Sequence, residues 1–445
     1  GLAGLDGVLR RRQPGPVLGQ LGGGLEDFRG RAGRGRGAVS QLLRHRRGGG
    51  TEPGHLGRSV ALGDLSAGIE FSKGGQPVGP DHRGEADPRN HRDAGENRGL
   101  VVSHRWITAN WAIAHGTTGD NLNVIVTVTP NPSIDRTVTL PGELVRGAVQ
   151  RVASVSSEPG GKGVNVARAL TLAGVETVAV LPAAGHDPIL AGLRAQGVEF
   201  HAVPVAHPVR TNLAITETDG TTTKVNEPGA ALDATEAEAL AWAVIQRARA
   251  GHWVVLSGSL PPGLPDAWYS EMTAALRAHG CKVAVDTSDA PLAALAAGLQ
   301  RAAPDLMKPN SEELAGLTGV SAESLETPLM SGDAGPVVAA ARRLVDQGVG
   351  AVLTTLGAAG AVLTTGSGSW AATPPPTVTR STVGAGDSSL AGYVLAALRG
   401  ESEPDRLRSA VAYGAAAAGL AGTQPPAPDL LDLDHVVLTE LATTR

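Results

Sequence analysis

From Asn123 onward, short β-branched runs alternate with longer helical patterns, and a glycine follows each of those helices. Residues 124–129 (VIVTVT), 177–181, 253–256, 283–285 and 351–354 are uninterrupted apolar runs, as expected of strands buried on both faces of a parallel sheet. Pro130 and Pro132 stop the first run, because proline cannot donate to a ladder. Helical periods cover 164–173, 234–250, 267–279 and 337–347, and Gly174, Gly251, Gly280 and Gly348 follow them. Glycine alone reaches the left-handed conformation of a helix C-terminus cheaply. The alternation predicts a doubly wound, three-layer α/β/α domain.

Two segments break the rhythm. Residues 136–140 with 151–156, and 211–217 with 221–225, read as short alternating strands, the second pair joined at Asp219-Gly220. Together they predict a small inserted β-sheet, with segments at about 135–157 and 209–227. Ligands of open α/β sheets sit at the carboxyl ends of the strands, so a sheet inserted there would act as a lid.

The first 122 residues have a different texture. They hold 17 Lys plus Arg against 12 Asp plus Glu, whereas the remainder holds 21 against 31. Residues 30–37 (GRAGRGRG) and 44–50 (RHRRGGG) are typical, and a chain of this kind buries too little apolar surface to fold alone. A nucleic-acid-binding arm would not be interrupted by Glu85, Asp87, Asp93 and Glu96, and no signal-type apolar core follows a basic start. Residues 1–122 are therefore expected to be a disordered or spurious leader, with the working domain at 123–445 and no nucleic-acid partner. The lone Cys281 cannot form an internal disulfide, and the twelve histidines show no zinc-ligand spacing. No run of 18 apolar residues is present, which predicts a cytoplasmic protein without a membrane role.

Residues 381–390, STVGAGDSSL, lead into an apolar helix. Gly384, Ala385 and Gly386 can turn the chain so that successive backbone N–H groups point outward at a helix N-terminus, an anion hole suited to a transferring phosphoryl group. Asp387 follows, placed to accept a proton from an attacking hydroxyl. An ordinary glycine-rich helix start with an aspartate cap has the same pattern. Residues 158–165, EPGGKGVN, open an earlier helix. Their glycines allow close ligand approach, Lys162 offers a charge for phosphate, and Asn165 offers donor and acceptor groups for sugar hydroxyls. Neither GxxxxGK[ST] nor GxGxxG is met.

In this order, about 220 residues apart, the two segments resemble the two signatures of the phosphofructokinase-B (PfkB) carbohydrate kinases, which share the ribokinase fold. Residues 129–135 (TPNPSID) resemble the family's opening segment, 257–263 (SGSLPPG) and 308–313 (KPNSEE) its central motifs, and 354–360 (TTLGAAG) its nucleotide loop. The likeness covers about 320 of the 445 residues. It implies a ribokinase-like fold and ATP-dependent phosphorylation of a sugar.

TPNPSID and GGKGVN are similar to the branch acting on phosphorylated ketohexoses, fructose 1-phosphate first and tagatose 6-phosphate second. The resemblance implies that Asp135, Gly161, Lys162, Asn165, Arg210 and Ser259 hold the sugar phosphate, Arg210 taking its phosphate bidentately. Lys308, Asn310, Thr355, Gly357 and Gly360 would hold ATP, and Asn310 with Glu313, one helical turn apart, would hold Mg2+ through water. Asp387 would be the base, with Gly384, Ala385 and Gly386 around the γ-phosphoryl group. Relatives in this family pair their lids across a homodimer, and the same is expected here. A non-catalytic sugar-binding regulator on the same fold would lack Asp387 or the anion-hole glycines, and both are present.

Overall fold

The structure is a computed structural model and describes residues 124–330 and 332–441. The expectations for residues 1–122 lie outside the described residues. In chain order the strands are β1 (Ile125–Val128), β2 (Ser133–Thr139), β3 (Ser154–Gly160), β4 (Thr177–Ala183), β5 (Glu199–Pro204), β6 (Arg210–Thr216), β7 (Thr222–Asn226), β8 (Trp253–Ser257), β9 (Lys282–Asp286), β10 (Leu306–Met307), β11 (Ala351–Thr355), β12 (Ala361–Thr365), β13 (Ser369–Thr373) and β14 (Val437–Leu441). The helices are α1 (Lys162–Leu172), α2 (Pro188–Ala195), α3 (Ala234–Arg247), α4 (Trp268–Ala278), α5 (Asp289–Ala297), α6 (Leu299–Ala302), α7 (Ser311–Thr318), α8 (Ala322–Met330), α9 (Gly335–Val345), α10 (Ala385–Leu398) and α11 (Glu403–Ala418).

The main sheet has the order β14-β13-β12-β11-β10-β9-β8-β1-β4-β5. All four residues of β1 are buried, and Val126 stands in register with Val178 on one side and Val254 on the other. From β5 to β11 every pairing is parallel, as the apolar runs predict. Beyond β11 the sheet turns antiparallel: β12 and β13 add as neighbours through short connections without a crossover helix, and β14, reached only after α10 and α11, pairs antiparallel with β13.

Helices cover both faces. Side chains of α3, α4, α5, α7 and α9 pack on one face around Trp268, Tyr269 and Leu240, and those of α1, α10 and α11 pack on the other around Leu170, Leu390 and Tyr413. Each such buried side chain stabilises the fold by about 1.5–3 kcal/mol. Helices α10 and α11 lie close together: a methyl group on Gly392 would meet Ser409 O and Tyr413 Cδ2 at 2.7 Å. The contact fixes the position of α10, which carries Asp387 in its first turn.

Three of the four punctuating glycines follow their helices in the left-handed region, Gly174, Gly280 and Gly348, at φ of 74°, 80° and 107°. Gly251 differs. Helix α3 stops at Arg247 because the buried Ala248 is extended, and Gly251 instead turns the chain toward β8, donating its N–H to Gly280 O at 2.9 Å.

The inserted sheet is present, in the order β3-β2-β6-β7. Strands β2 and β3 are antiparallel, β2 and β6 parallel with Asp135 opposite Asn212, and β6 and β7 an antiparallel hairpin. In the connecting turn Gly220 has φ of 92°, and the Asp219 carboxylate accepts from the N–H of Thr221 at 2.9 Å. The lid leaves the main sheet from the carboxyl ends of β1 and β5 and returns into α1 and α3. Among the described residues, no helix is long and apolar enough to cross a membrane.

Candidate active site

Helix α10 opens at Gly384, whose φ of 81° belongs to the left-handed region and turns the chain into the helix. The N–H groups of Ala385, Gly386 and Asp387 precede the first intrahelical bond, from Ser388 N–H to Gly384 O, and so point out of the helix end. A methyl group on Gly386 would come within 3.2 Å of Lys308 Nζ. An ammonium therefore lies beside the helix N-terminus, and both attract an anion.

The Asp387 side chain is buried and accepts a hydrogen bond from Asn165 Nδ2 at Oδ2, 2.8 Å away. Burial and the nearby charge of Asp286 push its carboxyl up to about 6, against the opposing pull of Lys162, Asn165 and Lys308. Asp286 ends β9 with its side chain wholly buried. Its Oδ1 accepts from Lys162 Nζ at 2.9 Å and its Oδ2 pairs with Lys308 Nζ at 3.2 Å. Burial alone would raise the Asp286 carboxyl, but the two ammonium groups hold it below the ordinary range. Burial likewise opposes the charge on Lys162, and Asp286, Asp387 and Glu313 overcome it and keep Lys162 protonated. Lys162 is thus placed with the acidic cluster at the helix end.

A second group gathers at the lid. Asp135 Oδ1 accepts from Ser133 Oγ at 2.7 Å and from Asn212 Nδ2 at 3.0 Å. Its carboxylate lies over Gly160, where a methyl group would fall 2.3 Å from Asp135 Cγ. Arg210, at the start of β6, donates to Glu227 O at 3.0 Å and to Ser259 Oγ at 3.3 Å, and Asn131 Nδ2 donates to the same hydroxyl at 3.2 Å. Gly161 caps α1 at φ of 108°, and a side chain there would strike Thr129 Cγ2 at 2.6 Å. That glycine lets α1 press against the end of β1.

The third group lines the ends of β10 and β11. Asn310 bridges to Thr355, and Thr355 N–H donates to Pro309 O at 3.0 Å. Asn310 and Glu313 form a capping box on α7, with Asn310 Oδ1 accepting from Glu313 N–H at 2.8 Å and Glu313 Oε2 accepting from Asn310 N–H at 2.9 Å. Each uses one oxygen on the helix end. Gly357 has φ of 58° and opens onto free space, whereas a methyl group on Gly360 would overlap Ala372 O at 1.9 Å. Close packing against β13 accounts for Gly360.

Residues 128–430 match the pfkB family carbohydrate kinase domain. The chain belongs to the pfkB family of carbohydrate kinases. It is 38% identical over 281 residues to a 1-phosphofructokinase of Xanthomonas campestris pv. campestris, covering 62% of this chain and 85% of that one. A 1-phosphofructokinase of Rhodobacter capsulatus is 37% identical over 312 residues, 69% of this chain and 94% of its own. The crystal structure of phosphofructokinase-2 from Escherichia coli in complex with substrates and products superposes with a TM-score of 0.63 at 31% identity, covering 69% of this chain and 96% of that one.

In this pfkB-family kinase, the residues that sequence reasoning missed stand beside those it named. Asp286 closes the run KVAVD, and an acidic residue at the carboxyl end of a buried strand is a signal, since ligands of such sheets bind there. Asn131 lies inside TPNPSID. Arg168 and Asn212 carry no sequence signal, because their distant partners, Thr423 for the one and Asp135 for the other, are brought to them only by the fold. A cavity of about 740 Å³ between α4 and the α6–β10 connection is lined by none of the three groups and forms no part of this site.

Proposed function

We propose that this pfkB-family kinase transfers the γ-phosphoryl group of ATP to the C6 hydroxyl of fructose 1-phosphate, giving fructose 1,6-bisphosphate. The observation that carries this proposal is Asp387, a buried carboxyl pushed up to about 6 in the first turn of α10 beside Lys308. A base tuned toward neutrality, next to oriented N–H groups and an ammonium, is what proton removal and phosphoryl transfer require. The sugar phosphate is the substrate class because the relatives reported above are 1-phosphofructokinases and because Arg210 is already oriented by Ser259 and Glu227 at the lid.

In this proposal Asp387 takes the hydroxyl proton while the N–H groups of residues 384–387 and Lys308 receive the developing charge on the phosphoryl oxygens. Asp135 with Asn212, Ser259, Asn165 and Gly161 orients the sugar, and Arg210 binds its phosphate. Thr355, Gly357 and Asn310 line the nucleotide side, with Gly360 shaping that loop. Mg2+ arriving with ATP supplies neutralisation of the β- and γ-phosphates. Asn310 and Glu313 fit an outer, water-carried hold on it, because the capping box engages one oxygen of each and leaves further acceptor capacity. ATP as phosphoryl donor goes with a cytoplasmic enzyme, and the lid edge goes with a homodimer.

The test is a coupled assay of the full chain and of residues 123–445 against fructose 1-phosphate, fructose 6-phosphate and tagatose 6-phosphate. The highest kcat/KM is expected with fructose 1-phosphate in both proteins. A preference for either of the other sugars overturns the substrate assignment. Loss of activity in the shorter protein overturns the domain boundary.

A further inference from the structure

Arg168 lies one turn beyond Asn165 on α1, with its side chain only 4% exposed. Its Nη2 pairs with Glu158 Oε2 at 2.6 Å. Its Nη1 faces four acceptors, Asn165 Oδ1 at 3.3 Å, Thr423 O at 3.0 Å, Thr423 Oγ1 at 3.4 Å and Pro159 O at 3.3 Å. Each contact leads to a different part of the machinery. Asn165 donates its other terminus to Asp387. Thr423 backs the anion hole, since a methyl group on Gly384 would lie 3.7 Å from Thr423 Cα. Glu158 belongs to lid strand β3, directly opposite Asp135 in the ladder.

The Asn165 amide has two orientations. With Oδ1 turned to Arg168, only Nδ2 can face Asp387, and the carboxylate receives a donor. In the reverse orientation an oxygen would oppose the carboxylate and an NH2 group would oppose the guanidinium, two repulsive contacts. Arg168 therefore fixes the orientation. A lysine could not replace it, because one compact ammonium lacks the planar fork that spans Glu158, Asn165 and Thr423 together.

We propose that Arg168 is a positioning residue for phosphoryl transfer, orienting the Asp387 carboxylate through Asn165, seating Gly384 through Thr423, and tying both to lid strand β3 through Glu158. The proposal rests on Asp387 being the base. It assigns Arg168 no contact with either substrate.

The test is steady-state kinetics of Arg168→Lys in the wild-type and Asp387→Asn backgrounds, with circular dichroism to establish that each variant is folded. A misplaced catalytic group can lose on the order of 100-fold in rate. Arg168→Lys is therefore expected to lower kcat by roughly 10- to 100-fold, with KM for sugar and ATP within about threefold of wild type. In the Asp387→Asn background the same change should have little further effect, because residues acting as one unit are not additive. A loss of equal size in both backgrounds, a kcat within about twofold of wild type, or a loss confined to sugar KM overturns the proposal. Should Arg168→Lys not fold, the partly exposed Glu158→Gln decides: a kcat loss that disappears in the Asp387→Asn background supports the proposal, and an unchanged kcat overturns it. If Asp387→Asn alone keeps wild-type kcat, the base assignment fails, and that result is separate from the additivity readout.

Discussion

Asn165 and Asp387, 222 positions apart in the chain, are joined by a hydrogen bond of 2.8 Å from the amide of one to the carboxylate of the other. The bond links the first turns of α1 and α10, so each glycine-rich segment supplies part of one site. Replacing Asp387 by Asn keeps the size of the side chain and removes its basicity. General-base catalysis contributes about 10² to 10⁴ in rate, so kcat should fall by that factor with KM for both substrates near wild type. A variant that keeps more than about a tenth of wild-type kcat would show that Asp387 is not the base.

The pH dependence follows from the raised carboxyl of Asp387. A proton held up to about pH 6 disables the base, so kcat/KM should fall on the acid side of about pH 6. Stability moves the other way. The carboxyl is raised from 3.8 to about 6, so the folded protein binds this proton more tightly than the unfolded chain does. The contribution to stability is fully present below the unfolded value and is lost as pH rises through the folded one. Asp387→Asn should therefore melt higher than wild type at pH 7.5 and show no such gain near pH 4. Differential scanning calorimetry at the two pH values checks this, and a lower Tm at pH 7.5 would contradict it.

The legible and the hidden parts of this fold differ in what sets them. The parallel core strands announce themselves because burial on both faces demands uninterrupted apolar runs, as 125–128 and 253–257 show. The antiparallel edge gives no comparable signal, because β12 is buried throughout like a parallel strand and only its short connection to β11 sets its direction. At the site, Asp387 and the glycines around it are visible because helix-start chemistry is local. The pairing of Lys162 with Asp286 depends on the start of α1 and the end of β9 meeting across 124 positions, and no local pattern reports it.

Arg210→Ala removes a guanidinium that β6 already holds against Ser259 Oγ and Glu227 O. A hydrogen bond to a charged group contributes about 1.5–3 kcal/mol, which corresponds to roughly 10- to 100-fold in binding. The sugar KM should rise by that factor while kcat changes little, because this phosphate is bound alike before and during transfer. The contrast with Asp387→Asn is the check. A fall in kcat without a rise in sugar KM would remove Arg210 from the sugar phosphate.

The lid predicts an assembly. Strand β7 is exposed along its length, and Val225 on it and Val155 on β3 remain 54% and 47% exposed. An unpaired strand edge beside exposed valines is an invitation to pair with another sheet, and a second copy offers the same surface by two-fold symmetry. Light scattering should give twice the monomer mass, and Val225→Lys should shift the protein toward the monomer. A monomer at every concentration, with and without substrates, would exclude a dimer through the lid.

Asp286 tests how the charges of the site are balanced. Asp286→Asn keeps the shape of the side chain but leaves Lys308, with its side chain only 5% exposed, and the more accessible Lys162 without their shared carboxylate. Removing one partner of a buried ion pair typically destabilises by about 3–5 kcal/mol. The Asp286 carboxyl is held below its ordinary value in the fold, so the stability it contributes is present above the unfolded value and lost as pH falls through the folded one. The destabilisation should therefore be large at pH 7.5 and shrink below about pH 4. The same substitution removes the negative charge that helps to raise the Asp387 carboxyl, while Lys162 and Lys308 still pull it down. The acid limb of kcat/KM should then move to lower pH, even as the less stable protein loses overall activity. A limb that stays near pH 6, or moves upward, would show that Asp286 does not tune the base.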